Sequence, residues 1–368
     1  MRTRRSWAHP LTGVAAALVL VLAGCGGDGE GDASPTPTGS AGDAVPAERC
    51  RANRDAGPIT YVTGYQYQAS ASILDPVAAK ALGYFDEVCL DVTLQPGTGE
   101  TAQNAQLVAA GTAQISSMSG QSDVIVNVAN GVDVTAVATF GHVPIATLMT
   151  EPSVTDLKQL DGTTLGQKGA LPVAIDGMLR AAGVDVASIT QVVVGYDPSV
   201  LVRGQVQSLT GYKSNEPLTL AARGDTVKQW NPEDYGVPGS IATTIVNPAF
   251  LAEHRSAVED FLRAQLRAYT YCETHGAECV GYAADLAQTG YDEDHNEQVW
   301  KTEHDLVDSS LPAGEVLGQI GVESMRSEAD FLLARGQIEA VPDLAAVTDT
   351  TVVPALYDET GELRWPVR

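Results

Sequence analysis

Apolar positions in this chain alternate with a period of two in short runs and recur every three to four residues in the stretches between. ITYVTGYQ (59–66), LDVTLQP (90–96), AQISSMS (113–119) and VTAVATF (134–140) read as strands, because alternation puts one set of side chains on each face of a pleated ribbon. Residues 72–83, 100–110 and 122–130 lie between them and read as helices. The first of these ends at Gly83, and Gly111 closes the second, as helix C-termini favour. This β-α-β-α-β-α-β rhythm predicts a mostly parallel sheet with helices on both faces.

A second set follows. IATLMTE (145–151), TTLGQK (163–168) and ITQVVVG (189–195) are strand-like, and LPVAIDGMLRAAG (171–183) is helical. A short helix, the turn GYKSNEP (211–217) and the segment TLAARG lead to a further strand, SIATTIVN (240–247). Beyond it the spacing predicts helices over 248–254, 256–274, 279–288, 294–308 and 313–336, a tail expected to pack on the first lobe. The expected fold is α/β: two doubly wound lobes with a helical C-terminal tail. Lobe 1 is expected to take residues 57–141 and 242–368, and lobe 2 residues 142–241. Two chain crossings, near 140–144 and 238–243, would form a hinge. A chain of 368 residues suits two cores better than one.

The first 24 residues stand apart. Arg2, Arg4 and Arg5 precede LTGVAAALVLVLA (11–23), a run shorter than the ~20 apolar residues of a membrane-spanning helix. Leu22-Ala23-Gly24-Cys25 resembles a bacterial lipoprotein signal, with Cys25 as the lipidated residue; an ordinary secretory signal is the alternative. Residues 25–56 are expected to be a flexible tether, since GGDGEGDASPTPTGSAGDAVPAE has almost nothing to bury. The folded part is thus expected on the outer face of the cytoplasmic membrane, held by its lipid.

A formal net charge of −24 repels phosphate backbones and argues against a nucleic-acid partner. Setting Cys25 aside leaves Cys50, Cys89, Cys272 and Cys279, an even number for an oxidising compartment. Three pairings exist in principle. Cys50–Cys89 and Cys272–Cys279 are the expected ones, the second closing a short helical corner. The segment CETHGAEC offers the alternative of a metal held by Cys272, His275 and Cys279; no metal site and no cofactor are expected.

Enzyme motifs are scarce: the chain has no Walker P-loop, no G-x-S-x-G and no H-E-x-x-H. PGTGETA (96–102) contains G-x-G-x-x-A but lacks the acid that a dinucleotide site places on the following strand. In a doubly wound sheet, ligands sit outside the carboxyl ends of the strands. The residues that follow the expected strands are therefore the candidate ligand-binding set: Gln66, Tyr67, Gln68, Ser117, Ser119, Gln121, Lys168, Tyr212, Asn215 and Glu216. No arginine lies in these loops, whereas an anion such as a sulfonate would want a bidentate guanidinium or several donors. Glu216 could instead accept from an exocyclic amine while Tyr67 or Tyr212 stacks on a flat ring.

In their order and spacing, KALGYFDEVCLDV (80–92), LVAAGTAQIS (107–116), LDGTTLGQKGA (160–170), GYKSNEP (211–217) and DYGVPGSIATT (234–244) resemble solute-binding proteins of ABC importers. The relevant group handles alkanesulfonates, nitrate and thiamine-pyrimidine precursors. GYKSNEP with DYGV looks like the pyrimidine-precursor branch, where the acid at the position of Glu216 looks like a contact to the aminopyrimidine. That branch carries Trp where Tyr67 aligns and His where Ile73 aligns, and GYQ (64–66) looks more like the sulfonate branch. The resemblance implies a type II periplasmic-binding fold, a monomer that closes on a small solute, and delivery to a permease served by a separate ATPase. The implied solute is aminopyrimidine-like, with a sulfonate- or nitrate-type anion as the alternative. The enzyme alternative is a pyrimidine synthase of the same fold, whose cysteine-rich motif this chain does not show.

Overall fold

A computed structural model describes residues 40–287 and 290–367. The signal segment, Cys25 and the first part of the expected tether lie outside the described residues. The rest of that tether is not tether: α1 (Ala47–Asp55) is a helix, with Arg49 held by Asp260 at 2.6 Å and Glu259 at 2.9 Å. The buried Asn53 donates to Asp260 and to the Val88 carbonyl. Composition alone hides this, because the anchors are single polar residues paired some 200 positions away.

The first sheet contains β1 (Ile59–Val62), β2 (Val92–Gln95), β3 (Ile115–Met118), β4 (Thr135–Gly141) and β10 (Ile241–Val246), in the order β2-β1-β3-β10-β4. The second contains β5 (Ala146–Thr150), β6 (Thr164–Gln167), β7 (Thr190–Val193), β8 (Ser208–Tyr212) and β9 (Lys228–Trp230), in the order β7-β6-β8-β5-β9. The two orders are equivalent. In each sheet four strands share one direction, and the odd strand is the one that follows a crossing: β10 runs against β3 and β4, and β5 against β8 and β9. Each sheet is therefore mixed, parallel but for the returning strand.

In lobe one, α2 (Leu74–Ala81), α3 (Tyr84–Glu87), α4 (Thr101–Ala109) and α5 (Gln121–Ala129) connect the strands. In lobe two, α6 (Val173–Ala181), α7 (Ser199–Val202) and α8 (Glu216–Ala222) do so. Helices α9 (Pro248–Glu253), α10 (Arg255–Thr274), α11 (Gly276–Leu286), α12 (Glu293–Ser310) and α13 (Val322–Ala334) follow. The expected helix over 313–336 is only α13, because Gly314 and Gly318 have positive φ (+88° and +82°) and break the run before it. α10 carries Phe261, which stacks on Phe85 and packs against Tyr61. The tail does not keep to the first lobe: Phe331 of α13 packs against the lobe-two core of Leu148, Leu165, Ile175 and Met178.

The crossings run through 142–145 and between β9 and β10. They touch: a Cβ on Gly239 would sit 2.5 Å from Pro144 Cγ and 2.9 Å from its Cα. Gly239→Val is expected to force the crossings apart and cost ~1–3 kcal/mol by overpacking, read as a lower midpoint in urea. A midpoint unchanged from the parent would show that the crossings do not need this contact. His142 does not line the cleft. Its N–H donates to Ser310 Oγ at 2.9 Å, and burial lowers its pKa.

Both expected disulfides are present, Cys50–Cys89 and Cys272–Cys279. The second removes the thiolates that the metal alternative at CETHGAEC required. No helix among the described residues is long and apolar enough to cross a membrane.

Candidate functional site

A cleft of about 370 Å³ opens where loops from the two sheets meet. Lobe one contributes the loop after β1 (Gly64, Tyr65, Gln68, Ser70–Ile73), the loop after β2 (Thr98–Glu100) and the end of β3 (Ser117–Ser119). Lobe two contributes Lys168, Ala170 and Pro172 after β6, Tyr196 after β7, and Thr210–Tyr212 with Asn215 and Glu216 around the β8–α8 junction. These are strand carboxyl ends, as the fold requires.

Of the ten residues singled out from the sequence, Gln68, Ser117, Ser119, Lys168, Tyr212, Asn215 and Glu216 line this cleft. Three do not. Gln66 is exposed, with φ of +20°. Tyr67 packs against the lobe-one core, its hydroxyl 3.4 Å from the Leu94 carbonyl, so Tyr65 is the aromatic residue this loop presents to the cleft. Gln121 is fully buried under the sheet, donating from Nε2 to Thr139 Oγ1 at 3.3 Å. Loops turn side chains in and out by single residues, and composition cannot resolve that register.

Glu216 is the first residue of α8 rather than a turn residue, and it is buried. One carboxylate oxygen accepts from the Tyr212 N–H at 2.7 Å and the other is paired with the Lys168 ammonium. This fold-back needs glycine at 211, where a Cβ would lie 2.7 Å from Glu216 Oε2. Burial pushes the Lys168 ammonium down, to about 8. Lys168 also lies 5.4 Å from the centre of the exposed Tyr196 ring.

The residue that sequence reading missed is Glu303. It sits on α12, buried, and accepts from Ser214 Oγ at 2.8 Å and from the Ala71 N–H at 3.0 Å. Burial raises its pKa above the ordinary glutamate value, while the donors Ser214, Ala71 and Ser70 work against the rise. With Glu100, the cleft is lined by three acids and by one cation, Lys168. No arginine lines it among the described residues.

One group of described residues could hold a metal ion: Glu273, His304 and Asp308, whose ligand atoms lie within 4.8 Å of one another. None of the three lines the cleft.

Comparison with known families places residues 72–278 on the family described as NMT1/THI5 like. The match spans more than half of the chain. The protein belongs to the NMT1/THI5-like family. No curated protein matches the chain. Among solved structures, the chain is similar to a periplasmic sulfonate-binding protein from Methylobacillus flagellatus KT. The TM-score is 0.60 at 15% identity, covering 81% of this chain and 93% of that one. It is also similar to the alkanesulfonate-binding protein from Xanthomonas axonopodis pv. citri bound to MOPS, with TM-score 0.56, 14% identity, and 79% and 98% coverage. The periplasmic aliphatic sulphonate binding protein of Escherichia coli gives TM-score 0.59 at 14% identity, with 79% and 91% coverage. At these identities the likeness is one of fold: two α/β lobes of the periplasmic-binding type.

Proposed function

We propose that this member of the NMT1/THI5-like family is a solute-binding component of an importer. It would capture a small solute between its lobes outside the membrane and deliver it to a permease with a separate ATPase. The fold supports this reading, with two sheets whose carboxyl ends face one cleft across a pair of touching crossings. Closure about such crossings is favoured by a ligand only through its stronger binding to the closed state. The described cysteines are all in disulfides, which leaves no thiol among them for covalent chemistry and favours a carrier over a synthase. Anchoring by lipid on Cys25 belongs to the same proposal. Intact-mass measurement of membrane-extracted protein, parent against Cys25→Ala, checks it by the mass of the acyl chains.

The solute we favour is small, flat and rich in N–H donors, as an aminopyrimidine is. The observation that carries this is the excess of carboxylates over cations in the cleft, beside Tyr65, Tyr196 and Tyr212. A sulfonate is the second reading, supported by Lys168 in the cleft and by the sulfonate-binding proteins of the same fold. Calorimetric titration with 4-aminopyrimidine and with ethanesulfonate separates them. The parent is expected to bind the amine. Glu216→Ala, which leaves Lys168 without its partner, should weaken amine binding about tenfold or more, the scale of one charge-assisted hydrogen bond. A parent protein that takes up ethanesulfonate in preference to the amine would overturn the solute assignment.

A further inference from the structure

Helix α12 (Glu293–Ser310) lies beyond the family-matched segment 72–278, yet it supplies the cleft with a buried acid. Its inner face reaches both lobes. His295 Nε2 lies 2.9 Å from Asn215 Oδ1, in lobe two. Asn296 Oδ1 accepts from the Ala69 N–H at 2.9 Å, in lobe one. Glu303 joins the two sides on one carboxylate, taking Ala71 N–H from lobe one and Ser214 Oγ–H from lobe two.

The two deep acids of the cleft differ in their compensation. Glu216 is neutralised by Lys168. Glu303, only 4% exposed, has neutral donors and no lysine, arginine or histidine within ion-pairing distance among the described residues. Taking a carboxylate out of water costs several kcal/mol unless a counter-charge or enough hydrogen bonds offset it. A carboxylate has about four acceptor positions, so Ser214 at 2.8 Å, Ala71 at 3.0 Å and Ser70 still leave acceptor capacity beside the cavity.

We propose that Glu303 is a ligand-binding residue that accepts from a cationic or N–H-bearing group of the solute and sets the charge selectivity of the cleft. The inference rests on the solute-capture reading and deepens it: Glu303, rather than the already neutralised Glu216, is the principal selecting acid. Because its other donors come from opposite lobes, the carboxylate is held in place when the lobes are together. A solute bonded to it therefore shares in closure.

The test is calorimetric titration of the full chain and its Glu303→Gln variant with 4-aminopyrimidine and with ethanesulfonate, melting of the unliganded proteins being followed in parallel. Glu303→Gln keeps an acceptor for Ala71 or Ser214 but removes the charge. It is expected to weaken the amine at least thirtyfold and to strengthen ethanesulfonate. A mere brace between lobes would move both affinities the same way, so parallel changes, or none, overturn the proposal. Glu303→Asp guards against a variant that fails to fold: it keeps the charge on a shorter arm and should weaken the amine while still excluding the sulfonate. If the parent binds the amine and Glu303→Gln binds it equally well, this inference falls alone. If the parent binds neither probe, the capture reading falls and takes this inference with it.

Discussion

Replacing Cys50 and Cys89 by serine is expected to lower the stability of the folded chain by about 4 kcal/mol. The bridge closes a loop with a sequence separation of 39, and the loop-entropy relation gives about that figure at 25 °C. The effect exceeds that of opening Cys272–Cys279, whose separation is 7 and whose loop is worth about 2.5 kcal/mol on the same relation. The bridge ties α1 to the segment after α3, and Arg49 and Asn53 bind α1 independently to Asp260. Equilibrium unfolding in guanidinium, double serine variant against parent, measures the difference. A loss under about 1 kcal/mol would mean that these polar anchors already confine the segment in the unfolded chain.

The second large effect concerns a buried acid behind the cleft. Asp75 is fully buried on α2. Burial raises its pKa to about 7, against the donation from Gln265 Nε2 at 2.7 Å. Asp75 Oδ1 and Gln265 Oε1 both lack partners, and a proton on Asp75 would supply the missing donor. The folded state therefore holds this proton more tightly than the unfolded chain, whose carboxyl titrates near 3.8. Its stabilising contribution is complete below the unfolded value and is lost as pH rises through 7, a loss on the order of 4 kcal/mol. Asp75→Asn keeps the shape, offers a permanent donor to Gln265, and removes the titration. The parent is thus expected to lose melting temperature from pH 5 to pH 8 relative to the variant. Comparing the two cancels the background repulsion of a chain with net charge −24. Equal slopes would show that Asp75 is ionised throughout.

Much of the architecture was legible because periodicity is local. Eight of the ten strands follow from alternation, whereas β8 and β9 do not. SLTGY contains a glycine and runs into a turn-like segment, and β9 has three residues, too few for a period to register. TLAARG, after the apparent turn, belongs to α8. Glu216 was visible because it sits beside a tyrosine, a lysine and an asparagine in one short stretch. Glu303 was missed: in EQVWKTEHD it looks like one more acid on a solvated helix, although Val299, Trp300 and Val307, three or four residues away, mark its position as part of the buried face.

Residue order alone determined the two α/β halves, the crossings between them, the cysteine pairing to expect and a cleft with one acid, Glu216, and no guanidinium. Folding brought Glu303 into that cleft without the counter-charge Glu216 has, decided that Tyr65 rather than Tyr67 faces it, and carried the tail to the second lobe. The reason is that strand and helix periods arise between near neighbours in the chain. The state of a buried charge depends instead on which groups lie within a few ångströms, and for Glu303 these are contributed by residues 232 and 89 positions away.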